Sequence, residues 1–206
     1  HENEIAQSEA ANGKPFAHYW LHNGYINIDG TKMSKSKGNF FTVRDIAKEF
    51  DYEVIRFFML SAHYRNPINF SHDLMEQSKN ALERLYNCLE TMNFKMNGAK
   101  SEKFDGTDKI EAYKQRFKDA MEDDINTADA ISVLFEIVKD INMRMDEVSK
   151  EELEAYTALL KELGGVLGIL EKNEKEGIPE EIQKLVDERT QARKNKDFAR
   201  SDEIRD

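Results

Sequence analysis

The sequence has few of the features that mark secreted or membrane proteins. Its single cysteine, Cys88, cannot form an internal disulfide, so a reducing, cytoplasmic location is expected. No apolar run approaches the ~18 residues that a membrane span needs. The first residues also lack the basic-then-apolar pattern of a signal segment. We therefore predict no membrane partner, and we predict that Cys88, which lies in a helical pattern, is buried packing rather than a nucleophile.

An initiator methionine is missing as well. The sequence opens with His1-Glu2-Asn3-Glu4 and closes within a helical pattern that has no stop signal. We therefore expect the chain to be an excised piece of a longer protein.

Positive charge is in deficit, because the net charge is −10 at neutral pH. Residues 1–65 carry 8 basic and 8 acidic side chains, and residues 66–206 carry the remaining 22 and 32. This balance argues against a protein that coats nucleic acid without selectivity. A chain of this kind can bind RNA only through local basic strips.

Hydrophobic periodicity predicts a mainly α-helical chain with one strand near its start. Residues 25–29 alternate apolar and polar side chains, which is a strand pattern, and Asp29-Gly30 ends it with a turn. Short helices are expected over 45–50 and 52–61, the first capped by Thr42 with Asp45 reaching back.

After Pro67 the pattern predicts an antiparallel helix bundle. Helices are expected over 71–93, 108–122 and 149–163, with Ser71 and Ser149 as caps, and from residue 123 through 141. The acidic pair Asp123-Asp124 could hold Mg²⁺, but we expect these carboxylates to favour the helix N-terminus through its dipole. Pro179 begins a last helix that carries the most basic strip of the chain.

A lysine-rich segment, residues 30–41, carries the clearest chemical signal. Two glycines bracket a polar run with three lysines and two serines. Mobile ammonium groups, short hydroxyl donors and glycine-freed backbone amides suit polyphosphate binding. A solvated turn has the same composition, and the order of a Walker A loop is absent.

Five letters of this segment, Lys32-Met33-Ser34-Lys35-Ser36, match the KMSKS signature of class I aminoacyl-tRNA synthetases. The flanking stretches 1–8, 19–24 and 38–45 together resemble cysteinyl-tRNA synthetases, and the resemblance covers essentially the whole chain as the C-terminal portion of such a protein. It implies the C-terminal end of a Rossmann-like α/β catalytic domain followed by an antiparallel helix bundle. Residues 1–65 would end the catalytic domain, 66–178 would form the tRNA-binding bundle, and 179–206 would begin a basic C-terminal module.

The resemblance also implies an activity and its substrates. Such a protein joins cysteine to ATP, with Mg²⁺, and passes cysteine from the adenylate to tRNA(Cys). Lys35, supported by Lys32, would stabilise the pyrophosphate leaving group, and Met33, Ser34 and Ser36 would shape the ATP-binding loop. No general base is required if the substrates' own oxygens attack.

Zinc is a further expectation from the resemblance. In the family, a His and a Glu of a His-His-Glu-Asn-Glu segment join two upstream cysteines around zinc, which selects the cysteine thiolate. Glu4 matches the liganding carboxylate, whereas His1 aligns with the second, non-liganding histidine. The chain would therefore supply at most one ligand of this site.

Four arginines are candidate tRNA contacts: Arg56, Arg65, Arg189 and Arg193. The first two lie where related synthetases approach the inner corner of tRNA, and the other two lie in the basic strip. Each could equally be a solvated or salt-bridged surface residue.

Two other functions stay open. One is a ligase that uses the same adenylate chemistry but passes cysteine to an amino-sugar acceptor. The other is a non-catalytic tRNA-binding module derived from a synthetase. If the chain is part of a synthetase, the isolated chain is expected to be inactive, because the other ATP motif and the cysteine pocket would lie upstream.

Overall fold

The computed structural model describes residues 1–28, 30–34, 41–172, 188 and 200. Seven helices and three short strands are present in this part of the chain. In chain order they are α1 Glu2–Asn12, β1 Ile26–Ile28, β2 Thr31–Lys32, α2 Val43–Ile46, α3 Tyr52–Leu60, β3 Ile68–Phe70, α4 His72–Met96, α5 Thr107–Glu122, α6 Thr127–Arg144 and α7 Lys150–Leu167. The predicted mainly α-helical fold class is confirmed.

The strands form one small sheet in the order β2-β1-β3. β1 pairs antiparallel with β2, and it pairs parallel with β3, with Ile26 opposite Ile68 and Ile28 opposite Phe70. The sequence predicted only β1. Both added strands are too short to show a pattern of their own, and β3 forms through pairing with residues forty positions away.

Predicted capping residues begin α2, α4 and α7, although α2 spans Val43–Ile46 and the helix was expected over 45–50. Thr42 and Asp45 form a complete capping box at α2. Ser71 accepts a hydrogen bond from the backbone of Leu74 at the start of α4, and Ser149 accepts one from Glu152 at the start of α7. These side chains satisfy backbone N–H groups that have no partner within the first helical turn.

The long helices α4 to α7 form the predicted bundle, and α3 packs against α4. The core is one continuous cluster that draws Phe57 and Phe58 from α3 and Leu85, Ile137 and Leu160 from the bundle. Cys88 is buried in this cluster, as expected, and burial raises the pKa of its thiol to about 11. The thiol is therefore neutral at physiological pH and is a packing group.

The end of α7 differs from the prediction, because the helix runs through Gly164 and Gly165 to Leu167. Gly168 ends it in the left-handed conformation, with φ +65°. The chain then turns back on the helix, so that Ile169 N–H donates to the Gly164 carbonyl and a Cβ on Gly164 would lie 2.9 Å from Leu170. The glycine at 164 is thus required by close packing, and it does not interrupt the helix.

The start of α6 also differs. We predicted a start at Asp123, but the helix begins at Thr127 with Asn126 as its cap. Asp124 and Ile125 adopt left-handed φ values of 55° and 57°. These values lie outside the right-handed helical region, so the acidic pair forms a tight turn between α5 and α6.

Residues 1–170 cluster as one compact unit and 171–206 as another. The predicted domain boundaries at 65 and 178 are not decided by this division and stay predictions. Among the described residues, no helix is long and apolar enough to cross a membrane.

Candidate functional site

A β-hairpin carries the start of the lysine segment. Gly30 turns the chain with φ +76°, a value that favours glycine, and its N–H donates to Asn69 Oδ1 at 2.9 Å. β2 then runs back along β1, so Lys32 stands opposite Asn27. Because of this returning strand, the lysine segment continues from beside the beginning of β1 and not from its carboxyl end.

Lys32 is exposed on β2, and its Nζ lies 3.7 Å from the ring centroid of Tyr25. The Tyr25 ring is itself 61% exposed. A cation over an aromatic face is held by the ring quadrupole, which is a modest attraction at an exposed site. This contact restrains the ammonium group and leaves it on the open side of the hairpin, where a polyphosphate could reach it.

Met33 and Ser34 continue from the hairpin and are half-buried. The Met33 N–H donates to the Ile26 carbonyl at 3.0 Å. The other two predicted ATP-binding residues, Lys35 and Ser36, lie outside the described residues. The structure therefore fixes the first three positions of the signature relative to β1.

The far side of the lysine segment is anchored on β3. Phe41 packs against Phe70, with ring centroids 4.6 Å apart, and Phe70 meets Phe58 of α3 edge to face at 6.0 Å. Such aromatic pairs add to the free energy of burial. Both flanks of the segment are therefore held by the same sheet, and through Phe58 by the core.

The loop between α3 and β3, residues 61–67, packs against the residues that lead into β1. Gly24 N–H donates to the Tyr64 carbonyl at 2.7 Å, and Ile68 N–H donates to the Tyr25 carbonyl at 2.9 Å. A Cβ on Gly24 would lie only 2.2 Å from the Asn66 carbonyl oxygen. Glycine at position 24 is thus required by the close approach of two backbones.

The same loop is tied to the bundle by Asp124, which sequence reasoning assigned to a helix N-terminus. Its carboxylate accepts a hydrogen bond from Tyr64 Oη at 2.8 Å and forms an ion pair with Arg65, whose Nε lies 2.9 Å away and donates to Tyr64 Oη at 3.1 Å. His63 Nε2 lies 3.7 Å from the same carboxylate. The hydrogen bond with Tyr64 and the Asp124 charge raise the pKa of Arg65. His63, Arg65 and Asp124 border an open cavity of about 690 Å³. The only sequence signal was two adjacent acids at the predicted start of a helix.

The two arginines predicted to contact tRNA have different surroundings. Arg65 is 65% exposed and is paired with Asp124, so part of its charge is already compensated. Arg56 donates from Nε to the Leu167 carbonyl at 2.6 Å, and its guanidinium lies against Gly168. It therefore satisfies the C-terminus of α7.

The N-terminal segment presents Glu4 on α1, a helix with no buried residue. Glu4 Oε2 lies 3.7 Å from the terminal amino group of His1, and both groups are more than half exposed. Among the described residues no three His, Cys, Asp or Glu side chains cluster as metal ligands would. Glu4 can thus contribute one carboxylate ligand and would need partners from elsewhere.

The predicted basic strip falls almost entirely outside the described residues, and with it Arg189 and Arg193. Arg200 is described, and its guanidinium donates from Nε and Nη2 to Glu188 Oε1 at 3.0 and 2.7 Å. At least this basic residue of the strip is therefore engaged with an acidic neighbour.

Two protein-family models match the chain. One, described as tRNA synthetases class I (C) catalytic domain, covers residues 1–80, and a DALR domain covers residues 116–171. Among curated proteins, the chain is 56% identical to a cysteine–tRNA ligase of Caldicellulosiruptor saccharolyticus, 52% to one of Lachnospira eligens and 51% to one of Clostridioides difficile. Each match covers 100% of this chain and 45% of the relative, so the chain spans a little under half the length of these proteins.

Proposed function

The chain belongs to the cysteinyl-tRNA synthetase family of class I synthetases, and from this we propose that it is the C-terminal portion of a cysteine–tRNA ligase. Such an enzyme activates cysteine with ATP and transfers it to tRNA(Cys). The family resemblance seen in the sequence agrees with the matched models and relatives. The substrates cysteine, ATP with Mg²⁺ and tRNA(Cys) come from that family assignment.

The observation that carries the proposal is the anchoring of the KMSKS segment on a three-stranded sheet. Gly30 at its start is bound to Asn69, and Phe41 at its end is packed on Phe70. A polyphosphate-binding loop needs fixed ends so that its lysines arrive at one place, because orientation contributes much of the rate. Lys32, held against Tyr25, begins the loop from such a fixed position.

We assign the leading catalytic role to Lys35 and a supporting role to Lys32. As an oxygen of the cysteine carboxylate attacks the α-phosphate of ATP, negative charge builds on the departing pyrophosphate, and an ammonium group placed there stabilises the transition state. Met33, Ser34 and Ser36 would shape the loop around the phosphates. This mechanism requires no general base from the chain.

For zinc, we propose that Glu4 is the one ligand that this chain supplies. When bound, zinc would select the substrate thiolate over a hydroxyl, because sulfur is a favoured zinc ligand. The exposure of Glu4 on a helix with no buried face is compatible with ligands joining it from an upstream part of the protein.

For tRNA, we propose that residues 66–178 form the binding bundle, that 1–65 complete the catalytic domain and that 179–206 begin a basic module. The DALR match over 116–171 supports a tRNA-binding role for the bundle. Arg56, Arg65, Arg189 and Arg193 are the proposed contacts, with Arg65 the most exposed of the described pair.

The experiment that tests the proposal measures cysteine-dependent exchange of pyrophosphate into ATP by the full-length ligase. Lys35→Ala should slow exchange by about 10²-fold or more, which is the usual cost of one lost transition-state donor. Lys32→Ala should slow it less, and Lys35→Arg should not restore it fully because the planar guanidinium has a different reach.

Lys48→Ala is the matched control, since Lys48 lies outside the signature and pairs with Asp45 at the surface. Exchange at the wild-type rate by both Lys35→Ala and Lys32→Ala would refute the phosphate role. Transfer of cysteine to an amino sugar, with none to tRNA(Cys), would favour the related cysteine ligases. Absence of any activation by the full-length protein, with tRNA binding retained, would favour a non-catalytic module.

A further inference from the structure

Two contacts tie the turn between α5 and α6 to the end of α3 and the loop that follows it. Thr127 Oγ1 donates to the Leu60 carbonyl at 2.7 Å, and Thr127 is buried. The Asp124 carboxylate accepts a hydrogen bond from Tyr64 Oη at 2.8 Å and forms an ion pair with Arg65 at 2.9 Å. The turn between α5 and α6 therefore binds the backbone just before the 61–67 loop and two side chains within that loop.

The other face of that loop holds the β-hairpin. The Tyr64 carbonyl accepts from Gly24 N–H, and Asn66 packs directly against Gly24. β1 begins two residues later, and Lys32 on β2 lies over Tyr25. A series of direct contacts thus leads from Asp124, through Tyr64, to the strand that positions the first lysine of the signature.

The turn adopts an uncommon backbone conformation. Non-glycine residues with left-handed φ number three in the described residues, and two of them are Asp124 and Ile125. This region is disfavoured for side chains with a Cβ, and such conformations persist where surrounding contacts hold them. Ile125 is 43% exposed, so its burial does not explain the turn. Backbone hydrogen bonds from Ile125 to Met121 and from Asn126 to Ala120 hold the turn on its α5 side. The contacts of Asp124 and Thr127 hold it on the side of α3 and the 61–67 loop.

We propose that Asp124 is a positioning residue that sets the orientation of the KMSKS hairpin relative to the helix bundle, acting through Tyr64 and Arg65. The inference rests on the proposed function, in which ATP binds at the hairpin while tRNA lies on the bundle. The Asp124 contacts would orient these two binding regions relative to each other. A carboxylate suits this role, since it accepts the hydrogen bond of Tyr64 while its charge pairs with Arg65.

The first test needs no catalytic activity and uses the 206-residue chain. Amide hydrogen exchange is compared in the wild type, Asp124→Ala and Asp123→Ala. Asp123 is the matched control, because its side chain makes no hydrogen bond or ion pair within the described part of the chain. Asp124→Ala should speed exchange at Gly24 and Ile68 by about tenfold or more, because the acceptor of Gly24 lies in the released loop and Ile68 follows that loop directly. Exchange at core residues of α4 should stay unchanged, and Asp123→Ala should resemble the wild type.

The second test uses the full-length ligase and separates positioning from simple stabilisation. Asp124→Ala should lower kcat for cysteine-dependent pyrophosphate exchange by about tenfold, a loss typical of misplaced reacting groups. KM for cysteine should stay within about twofold. Asp124→Asn, which keeps an acceptor for Tyr64, should recover part of the loss. If the alanine variant does not fold, Asp124→Asn replaces it in both tests.

A double-mutant cycle identifies the route. Tyr64→Phe keeps the backbone bond to Gly24 but removes the hydroxyl that binds Asp124. If Asp124 acts through Tyr64, the double variant should lose less than the product of the two single losses. Unchanged amide exchange at Gly24 and Ile68 in both Asp124 variants would overturn the positioning role, whatever the activity. If the wild-type ligase does not activate cysteine, the proposed function is wrong. The hydrogen-exchange result alone then tests the positioning role of Asp124.

Discussion

Arg56 Nε donates a 2.6 Å hydrogen bond to the carbonyl of Leu167, 111 residues later in the chain. The last carbonyls of a helix have no partner within it, and a cation there is also favoured by the helix dipole. One turn earlier on α3, Glu53 accepts from the N–H of Leu170 at 2.7 Å. Two side chains of α3 therefore fix the end of α7 and the reverse turn that follows.

Replacing Arg56 should cost stability whether or not RNA binds there. Arg56→Ala should lower the free energy of unfolding by about 1–2 kcal/mol, since it leaves the Leu167 carbonyl without its charged donor. Urea denaturation of the 206-residue chain measures this. Arg44→Ala is the control, because Arg44 is exposed and makes no hydrogen bond or ion pair in the described residues, and it should shift stability by less than about 0.5 kcal/mol. Equal stability of the two variants would contradict the assignment.

Asp140 should matter far more than an exposed acid of the same helix. It is 13% exposed and accepts from Lys109 Nζ at 2.7 Å and Tyr156 Oη at 2.6 Å, with Arg144 nearby. Burial by itself raises the pKa of Asp140, but these hydrogen bonds and the Arg144 charge hold that pKa below its ordinary value. Asp140→Ala should cost about 2–4 kcal/mol of unfolding free energy, because it removes the acceptor of the buried Tyr156 hydroxyl and the ion-pair partner of Lys109 and Arg144.

Glu136→Ala provides the comparison for Asp140. Glu136 also pairs with a basic residue, Arg116, but both side chains are about half exposed. Exposed pairs contribute little, so this variant should cost less than about 1 kcal/mol. Chemical denaturation at neutral pH measures both variants, and a larger loss for Glu136→Ala than for Asp140→Ala would show that burial does not set the ranking.

The stabilising effect of His72 should fade as pH rises. Its Nε2 lies 2.6 Å from Glu49 Oε1, and this hydrogen bond raises the pKa of His72 above its ordinary value near 6.5. A raised folded-state pKa stabilises the fold below the unfolded-state pKa, and the contribution is lost as pH rises through the folded-state value.

We therefore expect the Tm of the wild type to exceed that of His72→Gln at pH 5.5 and the difference to shrink toward pH 9. Thermal scans at half-unit steps measure it. His18→Gln is the control, because His18 is exposed and has no ion pair in the described residues. A difference for His72→Gln that grows with pH would contradict the sign worked out here.

The isolated chain should bind tRNA weakly and should form no cysteinyl-adenylate. Lysine and arginine contacts to phosphates release counterions, so affinity for a tRNA(Cys) transcript should fall steeply between low and moderate salt. Arg189→Ala with Arg193→Ala should weaken binding and flatten the salt slope, whereas Arg116→Ala, in an ion pair with Glu136, should change it little. Salt titrations beside an adenylate assay test this, and adenylate formed by the isolated chain would overturn the expected division of labour.

Local signals in the sequence predicted the helices well, because caps act within one turn. Thr42 and Ser71 begin helices where their side chains satisfy nearby backbone N–H groups. The prediction failed where distant residues decide. β3 exists through parallel pairing with β1, and Gly164 stays helical because Leu170 returns to pack on it.

The candidate site was recognised from the five-letter signature, which is a resemblance rather than a physical derivation. Its supports were not recognised. Asp124 was read as a helix N-terminal acid, but a left-handed turn of two non-glycine residues has no reliable sequence signal. Gly24 likewise gave no sign that Asn66 would press against it.

The parallel pairing of β1 with β3 imposes an order on folding. Two strands of two and three residues cannot form a stable hairpin alone, so β1 and β2 need their third partner. That partner is separated from β1 by α2 and α3, and closing so long a loop is entropically costly until the intervening helices have shortened it. During synthesis Lys32 therefore leaves the ribosome before its scaffold exists, and it gains a fixed position on the sheet only after Phe70 has emerged.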